Sequence, residues 1–163
     1  MTQQTDYSAV LDLSRYGLSL CLGVRLTQGR LSALDLLTDL QAEWIPNDML
    51  IQQLQGQLAR YFINGDDDFD LPRVSQGSEF QQRVWQAMEK IPYGETRSYG
   101  ELAKEIGSHP RAVGGACRVN PLPLIVPCHR VVAARGVGGY AGAVSGSLLA
   151  VKQWLLKHEF ENA

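Results

Sequence analysis

Apolar and polar positions change period along this chain, and the changes mark its elements. Leu18, Leu20, Leu22, Val24 and Leu26 alternate with small or polar residues. That is the two-residue repeat of a half-buried strand, within a strand-rich stretch from Ala9 to about Leu37. Gln28-Gly29 turns this strand into Arg30–Leu37 as a hairpin partner. Met49, Leu50, Leu54, Leu58 and Phe62 then follow helical spacing behind Asn47, a residue suited to cap a helix from Asp48 to about Ile63. Between Gly65 and Gly77 no period survives. Asp66, Asp67, Asp68 and Asp70, followed by Leu71-Pro72, read as a solvated linker and a domain boundary.

Beyond the boundary the helical period returns. Ser78-x-x-Gln81 is a capping-box signature, with Phe80, Val84, Trp85, Met88 and Ile91 on one face behind it. Pro92-Tyr93-Gly94 ends that helix. Ser98-x-x-Glu101 opens a second one to Ile106, and Gly107-Ser108-His109 makes a turn. Pro110 sits where a first helical position tolerates proline, ahead of Arg111 to Val119. Helix, tight turn, helix is the outline of a helix-turn-helix, although plain helical cores share it. After Asn120, the prolines at 121, 123 and 127 exclude regular structure. The apolar run Leu124-Ile125-Val126 then delivers Pro127-Cys128-His129-Arg130-Val131. A glycine-rich loop around Tyr140 and an amphipathic helix from about Leu148 to His158 complete the chain.

Composition narrows the classes. The 163 residues, 45% hydrophobic and 20% charged, suit one or two small domains with a core that needs no disulfide staples. No apolar run approaches the ~18–20 residues of a membrane span, so no membrane partner is expected. Met1 to Tyr7 carries no basic residue and does not read as a secretory signal. Cys21, Cys117 and Cys128 contain no CxxC spacing and are expected to be free thiols in a reducing cytoplasm. The net charge of −2 conceals a split. Residues 1–82 hold 5 Lys/Arg against 11 Asp/Glu, whereas residues 83–135 hold 8 against 4. The basic middle suits a polyanion where the whole-chain value does not.

Two features of that middle carry candidate chemistry. The helix after Pro110 has almost no side-chain bulk: Ala112, Gly114, Gly115 and Ala116 lie between Arg111 and Arg118. Two adjacent glycines cost a helix roughly 2 kcal/mol against alanine, so something must approach the backbone closely. Another helix or a nucleic-acid groove would each satisfy that. Cys128, beside His129 and Arg130, is a candidate thiolate nucleophile or a structural cysteine. In an extended segment Cys128 and His129 would point to opposite faces. A Cys–His pair would then need a bridging water or an unusual turn at Pro127.

Pro127-Cys128-His129-Arg130-Val131 resembles the active-site signature of the O6-alkylguanine-DNA alkyltransferases, the methylated-DNA–protein-cysteine methyltransferases. Phe80-Gln81-x-x-Val84-Trp85, Ile91-Pro92-Tyr93-Gly94, Ser98-Tyr99, Arg111-Ala112-Val113-Gly114-Gly115, Asn120-Pro121 and Gly139-Tyr140-Ala141-Gly142 are similar to that family's motifs and follow its order. The resemblance spans about Ser78 to Glu159. It implies an α/β ribonuclease-H-like domain over 1–75. Over 76–163 it implies a mainly α, winged-helix-like domain with a helix-turn-helix that binds DNA and accepts the alkyl group.

The implied partner is double-stranded DNA containing O6-alkylguanine, bound through the minor groove by a monomer, with cooperative binding along the duplex left open. The implied reaction flips the base and moves its O6-alkyl group, or the O4-alkyl group of thymine, once and irreversibly to Cys128. By the same resemblance His129 acts as base through a water, Glu159 orients it, Tyr99 supplies a proton to the leaving guanine, and Asn120 ties the turn before the active-site segment. Ser98, Tyr99, Arg111, Ala112, Gly114, Gly115 and Arg118 are expected to face DNA, with Arg111 filling the gap left by the base. Pro123, Val131, Tyr140 and Ala141 are expected to line the substrate pocket. No cofactor is implied. With only Cys21 and no histidine before His109, the zinc site of some relatives is not expected either. The chain departs from the family pattern in a short Gly107–Pro110 turn, a longer Ala143–Ser147 segment, and Ala141 where some members place serine. A lesion-sensing or regulatory DNA-binding module and a Cys–His hydrolase are the competing classes.

Overall fold

A computed structural model describes residues 6–143 and 145–163. Residues 1–5 of the polar N-terminus and Val144 of the long loop, both subjects of expectations above, lie outside the described residues. The chain divides into two compact units, Met1–Val74 and Ser75–Ala163. Among the described residues no helix is long and apolar enough to cross a membrane.

The first unit is built on an antiparallel meander of β1 (Ala9–Asp12), β2 (Cys21–Thr27) and β3 (Arg30–Leu37). Gln28 and Gly29 both take positive φ, 50° and 71°, the geometry that matches a tight hairpin to the twist of its strands. Burial does not alternate along the central strand as its sequence suggested, because Cys21, Leu22, Gly23 and Val24 are all buried. At Gly23 the Tyr7 ring supplies the second cover. A Cβ on Gly23 would lie 2.5 Å from that ring, so only glycine fits beneath it.

Helix α1 (Met49–Asn64) buries Ile51, Leu54, Leu58, Tyr61 and Phe62, and Phe62 stacks on Tyr16 at 4.6 Å. Its cap is Asp48, whose carboxylate accepts the Ile51 amide at 3.1 Å, and not Asn47. Asn47 lies one residue too early and instead accepts from the Gln52 side chain. The Gly65–Gly77 stretch is likewise not a simple solvated linker. Asp70 exchanges two 3.0 Å hydrogen bonds with Gln57 of α1, and Leu31 of β3 bonds the backbones of Pro72 and Val74 at 2.9 Å each. The segment thereby occupies unpaired backbone groups of an edge strand, which no local periodicity announces.

In the second unit α2 (Glu79–Glu89) and α3 (Tyr99–Ile106) each open with a complete capping box, Ser78 with Gln81 and Ser98 with Glu101. Helix α4 (Pro110–Arg118) follows the left-handed Gly107, with Pro110 in its first turn and the His109 ring accepting the Arg111 amide. The Trp85 indole donates to the Ala116 carbonyl at 2.9 Å and pins α4 onto α2. A two-residue parallel ladder joins β4 (Arg97–Ser98) to β5 (Val131–Val132). The terminal helix α5 (Ser147–Asn162) runs about a turn beyond the expected His158, so Glu159 is a buried helical residue and not a frayed end charge.

Candidate active site

Between α4 and the Cys128 segment one side chain clasps the loop, beside a 2.9 Å backbone bond from the Val126 amide to the Leu122 carbonyl. The Asn120 amide donates to the Val126 carbonyl at 2.8 Å, and its oxygen accepts the Leu122 amide at 3.0 Å. The loop inside this clasp is tight enough to hold Leu124 at φ 75°, a left-handed conformation that costs a non-glycine residue roughly 1–2 kcal/mol. Burial of the Leu124 side chain offsets that cost. The chain leaves Pro127 at ψ 66° and enters a single 3₁₀ turn, Cys128–Arg130, closed by the Arg130 amide on the Pro127 carbonyl at 3.0 Å. The segment is therefore not extended, and the strand argument that would set Cys128 and His129 on opposite faces does not hold here.

Two residues of this turn, His129 and Arg130, join Glu159 of α5 in one buried network. His129 Nε2 lies 2.5 Å from Glu159 Oε2, and both residues are almost completely buried. Arg130 Nε donates to Glu159 Oε1 at 2.6 Å, a second guanidinium nitrogen pairs with the same oxygen, and Nη1 donates to the Ile91 carbonyl at 2.8 Å. Burial would raise the Glu159 carboxyl, but His129 and Arg130 together hold it below the usual carboxylate value. Burial dominates at His129 and pushes the imidazole down despite Glu159, with Arg130 and Lys152 adding to the effect. A neutral imidazole facing a carboxylate donates from Nε2, which leaves Nδ1 as the basic nitrogen. Nδ1 is buried and has no hydrogen-bond partner among the described residues.

Cys128 is 6% exposed, and burial pushes its thiol up, while Asn120 and Lys152 pull it the other way. The resting group is a thiol, which would need a base to act as a nucleophile. It lines a cavity of about 150 Å³ together with Tyr99, Gly114, Cys117, Arg118 and the Gly139–Ala143 loop. Tyr140 is buried, and its hydroxyl has no hydrogen-bond partner among the described residues. Burial, followed by the two nearby cysteines, pushes the Tyr99 phenol up to about 12, so it stays protonated. Gly138, at φ 77°, lets the loop lie on Tyr99, since a Cβ there would sit 3.1 Å from the ring.

Two expected pocket residues are not in the lining. Val131 is fully buried, with its backbone paired to Arg97 and bonded to Lys152. Pro123 is buried within the Asn120 clasp, bridged to Val126. Tyr140 and Ala141 do line the cavity. Ser98 spends its hydroxyl on the Glu101 amide as the cap of α3.

The small residues of α4 are not explained by helix packing. A Cβ on Gly114 or Gly115 would meet no neighbouring atom within 4 Å, so the missing bulk opens outward at Gly115 and onto the cavity at Gly114. Arg111, Ala112, Gly115 and Arg118 are exposed along this face. Arg118 reaches back over the cavity to the Gly142 carbonyl at 3.5 Å.

Three residues of the site were not assigned from sequence. Cys117 lines the cavity while packing against Met88, with 3.6 Å between the sulfurs, and Arg130 completes the buried network. Lys152 is fully buried and donates to Val131 O at 2.7 Å and Gly139 O at 2.8 Å. A signal existed for Lys152. It falls on the same helical stripe as Val151, Leu155 and Glu159, where a solvated lysine does not belong.

Residues 79–161 match the family model described as 6-O-methylguanine DNA methyltransferase, DNA binding domain. The methylated-DNA–protein-cysteine methyltransferase of Methanosarcina acetivorans is 45% identical over 119 residues, covering 71% of this chain and 73% of that protein. The crystal structure of the O6-methylguanine methyltransferase of Mycobacterium tuberculosis is 38% identical, with a TM-score of 0.72 over 88% of both chains. A structure of Mycobacterium tuberculosis OGT in complex with DNA has the same identity, coverage and TM-score.

Proposed function

Because this chain belongs to the 6-O-methylguanine DNA methyltransferase family, we propose that it repairs DNA by direct reversal, moving an alkyl group from guanine O6 onto its own Cys128. The activity is that of a methylated-DNA–protein-cysteine methyltransferase, with DNA as partner. The observation that carries Cys128 as the acceptor is its thiol in the cavity next in sequence to His129, whose Nδ1 is buried without a hydrogen-bond partner among the described residues.

In this reading His129 takes the thiol proton through a water at Nδ1, and Glu159 stabilises the resulting imidazolium. The sulfur attacks the alkyl carbon in line, the S–C bond forms, and the C–O6 bond breaks with its electron pair passing to the guanine. Tyr99 gives the leaving guanine its proton and recovers one from the imidazolium. The thioether is stable, so each molecule acts once. Incubation with a duplex carrying O6-methylguanine should add one methyl group to the Cys128 peptide by mass spectrometry. No mass gain on that peptide would reject the reading.

The outward face of α4 supports minor-groove entry with base flipping. Its bare backbone suits a groove about 6 Å wide, and Arg111 at the helix start can fill the space left by the base. Arg111→Ala should slow reaction with duplex DNA on the order of tenfold or more, since extruding a stacked base costs a few kcal/mol. Reaction with free O6-benzylguanine, which needs no flipping, should change little. Equal losses on both substrates would remove the arginine from this role. The glycines make a second test. Gly115→Ala should stabilise the fold by about 1 kcal/mol in thermal or urea melts, whereas Gly115→Leu should fold normally yet weaken duplex binding.

The finer parts of the reading follow the same family. They are O4-alkylthymine as a second substrate, binding as a monomer, a ribonuclease-H-like domain over 1–75, and a winged-helix-like DNA-binding and acceptor domain over 76–163.

A further inference from the structure

Among the residues lining the Cys128 cavity, Arg118, Ala141 and Gly142 are exposed, whereas Cys117, Cys128 and Tyr140 are buried. The exposed three mark the rim where the cavity meets solvent. Arg118, the last residue of α4, crosses that rim and donates from Nη2 to the Gly142 carbonyl at 3.5 Å. A Cβ on Gly142 would fall 2.9 Å from the arginine Nε and 3.5 Å from its Cγ, so loop backbone and side chain are in direct contact. The cavity beneath measures about 150 Å³. Sites that hold small ligands are commonly larger, roughly 300–1,000 Å³, so this one is contracted.

The contact across the rim is easily released. A hydrogen bond of 3.5 Å is at the long limit of the interaction. Ala141, next to Gly142, holds φ 51°, a left-handed conformation that disfavours any residue with a Cβ. Tyr140 and Ala143 keep the turn closed around it by exchanging 2.8 Å backbone hydrogen bonds. Among the described residues no carboxylate pairs with the Arg118 guanidinium. A phosphate is a much stronger partner for it than a peptide carbonyl, being charged and able to accept two N–H groups at once.

We propose that Arg118 is an autoinhibitory latch: its guanidinium holds the Gly142 loop across the cavity rim, and a DNA backbone phosphate draws it away, so that the cavity opens when duplex is bound. This rests on Cys128 being the acceptor and on α4 facing DNA. The consequence suits a protein that acts once. Its thiol stays covered from small alkylating molecules in solution and is uncovered where a damaged base can be presented.

Free O6-benzylguanine probes the latch, since it enters the cavity without being flipped. In the absence of DNA, Arg118→Ala should accept the benzyl group several-fold faster than the unmodified protein. Undamaged duplex should accelerate the unmodified protein to a similar rate and leave Arg118→Ala nearly unchanged. The latch is overturned by a variant no faster than the unmodified protein, by duplex that fails to accelerate the unmodified protein, or by duplex that accelerates both alike. Salt tests the phosphate. The slope of log binding constant against log salt concentration should become shallower by about 0.9 in Arg118→Ala, the value of one phosphate contact. An unchanged slope would overturn the exchange of partners. Hydrogen exchange without DNA gives a readout independent of chemistry. The Ala143 amide should exchange several-fold faster in Arg118→Ala, and equal exchange would count against the latch. If the unmodified protein accepts no benzyl group with or without duplex, the acceptor reading fails, while the exchange experiment still judges whether Arg118 holds the loop.

Discussion

Cys128→Ala should take no alkyl group from O6-methylguanine DNA, while still binding the duplex within about twofold of the unmodified protein. The first half follows from the chemistry of the site. Neither other cysteine is expected to substitute: Cys21 is buried in the first unit's sheet, and burial pushes Cys117 up to about 12 without a histidine next to it in sequence. The second half follows from where the proposed binding surface lies. Arg111, Ala112 and Gly115 are on the outward face of α4, and removing one buried sulfur from the cavity floor alters none of them. Cys128→Ser is the sharper variant, because it keeps size and polarity but replaces a thiol with a hydroxyl that His129 cannot deprotonate appreciably. Mass spectrometry and a fluorescence-anisotropy titration on the same DNA decide both halves. Loss of binding together with transfer would mean that Cys128 supports the fold of the site and not the reaction.

Removal of Glu159 should have the largest effect on stability. It is the common partner of His129 and Arg130, all three nearly inaccessible to water. Glu159→Leu would leave a buried guanidinium uncompensated, at a cost of about 3–5 kcal/mol in urea unfolding. Glu159→Gln is milder. Its side-chain oxygen can still accept from His129 Nε2, but it cannot stabilise an imidazolium, and transfer should slow by roughly two orders of magnitude or more.

The pH dependence identifies the same group. A carboxyl held below its ordinary 4.5 contributes stability that is complete above that value and is lost as pH falls through the folded value. His129 is held neutral by burial, so below its ordinary 6.5 the unfolded chain binds a proton that the fold refuses, and stability falls there too. Acid unfolding should therefore begin below about pH 6.5 and steepen below 4.5. In Glu159→Gln the lower phase should shrink and the upper should remain. An unchanged lower phase would place the acid-sensitive carboxylate elsewhere.

Local chemistry was legible residue by residue. Both capping boxes, the Gln28-Gly29 turn, Pro110 at the start of α4 and the apolar faces of α1 and α2 follow from contacts spanning four residues or fewer, where sequence spacing and spatial distance agree. The acceptor motif was legible for a different reason. Pro127 to Val131 is one continuous segment, and its resemblance to a family named the reaction before any geometry was known. Glu159 illustrates the limit. Its position alone reads as a solvated helix end, and only the resemblance tied it to a histidine thirty residues away.

What tertiary structure alone decided concerns groups whose partners are far apart in the chain. Lys152 became a buried donor because the Val131 and Gly139 carbonyls converge on it. The acidic stretch after α1 became a strap because β3 had an edge to offer. Pro123 and Val131 left the pocket lining when the Asn120 clasp and the β4–β5 ladder took their backbones. Gly114 and Gly115 could have served helix packing or an external groove equally well until the space before them proved open. Sequence determined the main elements and the candidate reactive residues, because propensity, capping and motif are local. Burial decided which charges act together, because the desolvation cost that forces them to pair exists only once the chain has closed around them.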